Sequence, residues 1–411
     1  MIDLLLRNVR LAEEPAPVDV AVDEGVIVAR GVGLDFVARQ EVQCNGRLLI
    51  PGFVESHLHL DIALMNDGHT PGRLEPYVSH YGLNELLERR RRQFTAKEIV
   101  QRASTALEMA SRQGVTALRA QCHVDREVGL KHVQLLQQVK EAYANQVTVQ
   151  IVAFPQQGLT NHPVNTDLFR EAFKLGVDVM GGASNLDVGE DGRTDWRTHI
   201  NAAFDLAMEL DVDLDIHADL SIPPTVTLDE LETVYIAQQT IERGYQGRVT
   251  VGHACTLGVA APDVAAEAIA LIREAQLNIV SQPDLYRLGR EDTHNVRRGL
   301  TRVKELLAAG VNVAYASNNV RDALRPMGNF NLLEEGLILA YGAHMDTVAE
   351  LNTILRMSTY HAAQVLRLPQ YGLVPGCTAD LVLLDAPTPS AAIIGQVKKV
   401  VVVKNGRIMT S

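Results

Sequence analysis

Pro51-Gly52-Phe53-Val54-Glu55-Ser56-His57-Leu58-His59-Leu60-Asp61 is the stretch on which the fold of this chain turns. The apolar run Leu48-Leu49-Ile50 leads into it, which puts His57 and His59 at the C-terminal end of a buried strand. Residues two apart on a strand face the same side, so two imidazoles converge there. Such a pair is half of the nitrogen set that a divalent metal needs. The plainer alternative is a strand end carrying two incidental histidines.

Downstream, apolar strand-like runs alternate with helix-periodic segments. The strand candidates are Leu49–Glu55, Thr116–Cys122, Val147–Phe154, Val177–Gly181, Val212–His217, Val249–His253, Asn278–Ser281 and Asn312–Ala316. Between them, i, i+3, i+4 apolar spacing predicts helices over Ile99–Ser111, His199–Leu210, Leu228–Arg243, Val264–Ala275 and Gly299–Ala309. Eight nearly all-apolar strands alternating with helices predict an α/β fold, a (β/α)8 TIM-like barrel. A doubly wound open sheet is the alternative, but no glycine-rich phosphate loop follows the first strand.

The two ends read differently. Asp3–Val9, Val18–Val22 and Val26–Ala29 are short β-like pieces, and Asp380–Asp385, Val397–Val403 and Arg407–Met409 repeat that style around a Lys404-Asn405-Gly406 hairpin turn. Residues 1–47 and 372–411 are therefore expected to build one composite β-sandwich domain, with the barrel over 48–371. Helices over Leu332–Ala340 and Val348–Met357 close the barrel segment. The run Arg89-Arg90-Arg91-Arg92 reads as a solvated helix face.

Composition narrows the partners. The 411 residues are long enough for a barrel and an accessory unit, and 46% hydrophobic content with 21% charge describes a soluble globular protein. A net charge of -12 argues against nucleic acid or an anionic membrane as partner. No apolar run approaches a membrane span, and Met1 leads into a strand-like run without a signal peptide, so a cytoplasmic location is expected. Cys44, Cys122, Cys255 and Cys377 lie far apart and form no metal-binding pair.

In a (β/α)8 barrel, functional groups gather at the C-terminal ends of the strands. His57 and His59 stand at the end of the first barrel strand, Gln156 and Gln157 after the third, His217 on the fifth, His253 on the sixth, and Asn318 and Asn319 after the eighth. Four of the thirteen histidines fall at such ends. His132, His199 and His344 lie in helical segments and read as surface or packing residues.

The chain resembles the amidohydrolase superfamily, and within it the cytosine deaminase branch. The resemblance rests on Pro51-Gly52-Phe53 before the histidine pair, Gln150 to Gln156, Asp215-Ile216-His217-Ala218-Asp219, Arg298 to Leu307, and Gly376-Cys377-Thr378-Ala379-Asp380-Leu381-Val382. It implies that His57, His59 and His217 hold one divalent ion, Zn or Fe. It also implies that His253 polarises the reacting hydroxide, that Gln156 bonds the amide edge of the substrate, and that Asn318 and Asn319 occupy metal-ligand and ring-facing positions. The implied reaction is attack of metal-bound hydroxide on a ring carbon bearing an amino or substituted amino group, on a pyrimidine or triazine type of heterocycle. The expected partner is that small molecule, with self-association into a homo-oligomer.

Departures fall where chemistry happens. The family's metal-binding aspartate, which also takes the proton of water, is Asn318. Its ring-side aspartate is Asn319, its proton-shuttling glutamate is Leu220, its aromatic residue after the eighth strand is Leu324, and a histidine after the second strand is Gln121. An amide oxygen can ligate a metal but is no base near neutral pH. Two readings stay open: a hydrolase with altered proton transfer, in which Asp219, Asp61 or His123 supplies a relay, or a catalytically impaired relative that binds small molecules. A binuclear dihydroorotase-like site is disfavoured, because Met180-Gly181-Gly182-Ala183 carries no lysine.

Overall fold

A computed structural model describes residues 1–66, 80–220, 225–283 and 300–409, the side chains of 80–84 aside. Arg298 and Gly299 lie outside the described residues. Four N-terminal strands, β1 (Ile2–Val9), β2 (Val18–Asp23), β3 (Val26–Gly31) and β4 (Ala38–Gln43), form a sheet in the order β3-β2-β1-β4. β4 was not expected from the sequence; its Arg-Gln-Glu centre is exposed and carries no strand-like apolar pattern.

The strand expected over Leu49–Glu55 is two strands. β5 (Leu48–Pro51) leaves the barrel and pairs antiparallel with a C-terminal strand, whereas β6 (Phe53–His59) opens the barrel. Gly52 is the pivot. A Cβ there would lie 2.1 Å from Thr116 Oγ1, so only glycine lets the chain pass the second barrel strand this closely. The Gly52 N–H donates to the Asp380 carbonyl at 2.8 Å, and Tyr371 Oη donates to the Gly52 carbonyl at 2.6 Å.

From β6 the barrel continues through β7 (Val115–His123), β8 (Thr148–Phe154), β9 (Val179–Ala183), β10 (Asp213–Ala218), β11 (Val249–His253), β12 (Asn278–Ser281) and β13 (Asn312–Tyr315). Neighbours are all parallel and run in chain order. β9 starts two residues later than the sequence predicts. The seam closes at the histidine pair: Asn318 N–H donates to the His57 carbonyl, and His59 N–H to the Asn318 carbonyl, each at 2.9 Å.

Helices cover the outside, Ala96–Arg112 being typical. Thr95 caps it by accepting from Glu98 N–H at 3.2 Å, and Ile99, Ala103, Ala106, Leu107 and Ala110 bury one face. The helix expected over Leu228–Arg243 is a short 3-10 turn followed by Glu232–Glu242, and that expected to end at Ala309 is Val303–Ala308. The solvated reading of Arg89–Arg92 fails at Arg91. Its guanidinium is buried between Asp125 (2.6 Å) and Glu88 (2.7 Å), since a cation that leaves water needs fixed carboxylates.

At the C-terminus, β14 (Leu381–Leu384), β15 (Lys399–Lys404) and β16 (Arg407–Ile408) join β5 in a second four-stranded sheet. Asn405 and Gly406 both have positive φ, as a two-residue hairpin turn demands. The two small sheets enclose their own core of Leu4, Leu6, Val20, Val22, Leu49, Leu381, Leu383 and Val403. Among the described residues, no helix is long and apolar enough to cross a membrane.

Candidate metal centre

Alternation alone does not aim the first two histidines. The register of β6 on β7 slips between Glu55 and Leu58, a bulge that re-aims the strand just before its end. His57 and His59 then meet His217 from β10: His217 Nε2 lies 2.9 Å from His57 Nε2 and 3.2 Å from His59 Nε2. Nitrogens sharing a tetrahedral ion at about 2.0–2.1 Å stand roughly 3.3 Å apart, so this spacing fits a metal. His253, at φ 76° on the last residue of β11, brings its ring to 5.3 Å from that of His217, and His57, His217 and His253 also form a group able to ligate.

Burial acts on these rings. The His59 imidazole is driven well below its ordinary pKa, first by burial and then by His57 and His123, so it stays neutral with a lone pair to give. Asn318, at φ 61°, is buried, and its Oδ1 has no hydrogen-bond partner. A buried amide oxygen without a partner, in the same cavity as His59, His217 and His253, is chemically able to serve as an oxygen ligand, and the residues present fit a divalent metal.

One cavity gathers most of the other candidates. His59, His217, His253 and Asn318 line it together with Gln156, Asn319, Phe154, Asn185, Leu186, Leu220 and Leu324. Asn319 Nδ2 donates to Asp322 at 2.6 Å, which holds the amide in place. Among the described residues, no carboxylate lines this cavity. β9 ends at Ala183 without a lysine, so the strand offers no bridging carbamate.

Two proposed relays are otherwise engaged. Asp219 is a helix cap: its carboxylate accepts from Glu232 N–H (2.9 Å), Thr233 N–H (3.1 Å) and the Thr233 hydroxyl. Asp61 faces two imidazoles, with Oδ2 2.6 Å from His132 Nδ1 and 3.1 Å from His123 Nδ1. Burial opposes its charge, yet His123 and His132 hold the Asp61 carboxyl well below the usual range. His132 is thus no mere packing residue.

Sequence reasoning missed the support beneath the histidines. Arg119 is buried and donates to Asp215 at 2.9 Å, to Gln150 at 3.1 Å and to the Val365 carbonyl at 2.7 Å. Burial pushes the Asp215 carboxyl up, but His57 and Arg119 hold it below its ordinary value. Gln121 Nε2 lies 3.3 Å from Asp215 and 3.4 Å from His57 Nδ1. Glu55 accepts from Ser317 N–H at 3.0 Å, and burial pushes its carboxyl up to about 7. The available signal was charge inside otherwise apolar strands.

A barrel whose strand ends bring imidazoles together around a fit for one cation defines a metal-dependent hydrolase scaffold. The chain belongs to the amidohydrolase family, whose pattern matches residues 62–410. Among proteins it resembles, N-isopropylammelide isopropyl amidohydrolase of Pseudomonas sp. (strain ADP) is 30% identical over 99% of this chain and 97% of that protein. Pterin deaminase of Rhizobium rhizogenes is 28% identical over 87% of this chain and 80% of that protein. The structure of 5-methylcytosine deaminase from Klebsiella pneumoniae liganded with 5-fluorocytosine superposes with a TM-score of 0.89 at 28% identity, covering 99% of this chain and 97% of that one.

Proposed function

We propose that this protein hydrolyses an exocyclic amino or substituted amino group on a small nitrogen heterocycle. The observation that carries the reading is the convergence of His57, His59 and His217 with the unpartnered Asn318 Oδ1. A divalent ion held there, Zn or Fe, supplies water with a pKa lowered toward ~7. Gln156 and Asn319 present amides to the polar edge of the ring, and Asp322 keeps Asn319 in register. Leu186, Leu220, Leu324 and Phe154 exclude water and suit a ring whose amino nitrogen carries an apolar substituent. His253 is the cavity group able to take a proton from water and return it to the departing amine, because Asn318 cannot. Water adds to the ring carbon, the C–N bond breaks as the amine takes the proton His253 returns, and the second proton of water stays on the ring product as its hydroxyl or ring N–H. The relatives support the reaction class, and the buried, unbridged cysteines Cys44, Cys122, Cys255 and Cys377 support a reducing, cytoplasmic setting. We read the protein as a homo-oligomer.

A second reading, a small-molecule binding protein with impaired chemistry, is favoured by the lack of a carboxylate at the cavity wall among the described residues. Metal-loaded protein incubated with N-isopropylammelide, pterin, 5-methylcytosine and cytosine, with released amine measured, separates the two. Amine release from a substituted heterocycle, exceeding that from cytosine, is expected. Binding of these compounds without amine release from any of them overturns the hydrolase reading, and ordinary turnover of cytosine overturns the substrate preference.

A further inference from the structure

We propose a second cation site, built by Asp61, His123 and His132 and separate from the centre described above. Asp61 follows β6, His123 ends β7, and His132 lies in the helix Lys131–Ala142, so three elements meet at one buried point. One ligand-type atom from each lies within 4.8 Å of the others.

His132 Nδ1 is hydrogen-bonded to Asp61 Oδ2 at 2.6 Å, yet other polar atoms of the group are left without a partner. Asp61 Oδ2 is crowded: it accepts from His123 N–H at 3.0 Å and faces both imidazole Nδ1 atoms. Asp61 Oδ1, by contrast, has no partner, and neither has His132 Nε2. His123 Nδ1 stands 3.1 Å from Oδ2 without the alignment of a hydrogen bond, and His123 Nε2 is also unpartnered. One imidazole offers only one nitrogen to an ion, so the free Asp61 Oδ1 and one nitrogen of each ring are the buried atoms that a cation would answer.

Charge points the same way. Asp215 has Arg119 and Asp125 has Arg91, each through a direct ion pair. Arg102, the guanidinium near Asp61, donates instead to the backbone carbonyls of Asp61 and Ala63. Asp61 therefore has imidazoles beside it but no direct ion pair with a guanidinium, and a metal ion would add a fixed positive charge. The 3.1 Å from His123 Nδ1 to Oδ2 is close to the spacings of the first centre, while the 2.6 Å from His132 Nδ1 is a hydrogen bond that an entering cation would replace. Two imidazoles and one carboxylate suit zinc or a similar transition ion better than calcium or magnesium. The site would staple the loop after β6 to β7 and to the helix, with a structural effect.

Zinc stoichiometry tests it. Protein stripped with chelator, reloaded with zinc, desalted and analysed for metal should hold two equivalents per chain. His132→Gln should hold one, and so should His217→Gln, which removes the first centre alone. Should His132→Gln fold poorly, His123→Gln serves the same purpose, and the wild-type count stands by itself. One equivalent in wild type that survives His132→Gln overturns the second site. One equivalent lost in His132→Gln but kept in His217→Gln supports it and overturns the first centre instead.

Discussion

On the proposed reading, the side-chain amide of Asn318 is where this chain departs most from a charged metal ligand. Its buried Oδ1 sits where a carboxylate would add charge and a base. Asn318→Asp should tighten zinc at the first centre by roughly tenfold or more, about 1.4 kcal/mol, read by chelator competition, and raise amine release alongside. Unchanged affinity would mean that residue 318 does not reach the ion. Glu55 offers a stability readout. Its folded pKa of about 7 lies above its ordinary 4.5, so the folded state holds its proton more tightly. That contribution is fully present below about pH 4.5 and is lost as pH rises through 7. Glu55→Gln keeps an acceptor for Ser317 N–H, and should stabilise at pH 8 by roughly 1–3 kcal/mol while leaving pH 4.5 nearly unchanged. Urea unfolding at the two pH values checks this, and equal effects at both would refute it.

At the scale of elements, the junction of β5 and β6 governs where the first histidines land. Gly52→Ala drives a Cβ into Thr116, and only backbone movement relieves it. A loss of about 1–3 kcal/mol is expected in thermal or urea unfolding, with weakened metal binding because β6 shifts. Arg119→Met leaves Asp215 buried without its cation, and should cost about 3–5 kcal/mol. Asp215 lies 3.6 Å from His57 Nδ1, so that variant should also loosen zinc.

For the whole molecule, the two hydrogen bonds that close the barrel seam flank the metal centre itself. On the proposed reading, cation binding and barrel closure are coupled. Removing metal with chelator should lower the midpoint of unfolding, and restoring zinc at about 100-fold over its Kd should return about 2.7 kcal/mol. Scanning calorimetry with and without zinc measures it, and coincident transitions would uncouple metal from fold. We also propose that the two terminal sheets form one accessory unit over roughly 1–47 and 372–411, extended by Leu48–Pro51 through its pairing with β14.

Much of this was legible along the chain, because periodicity and strand-end position are local properties. Eight apolar runs and the histidines at their ends predicted the barrel and the meeting of His57, His59 and His217, since parallel β/α units place strand ends on one face. Tertiary structure alone decided the rest. The passage at Gly52 depends on Thr116, the cap made by Asp219 depends on a helix beginning at Glu232, and the grouping of Asp61 with His123 and His132 depends on a loop, a strand and a helix meeting. Local pattern sets which way a residue faces. Which distant groups share its burial, and so whether its charge or lone pair is answered, is set only when the barrel closes.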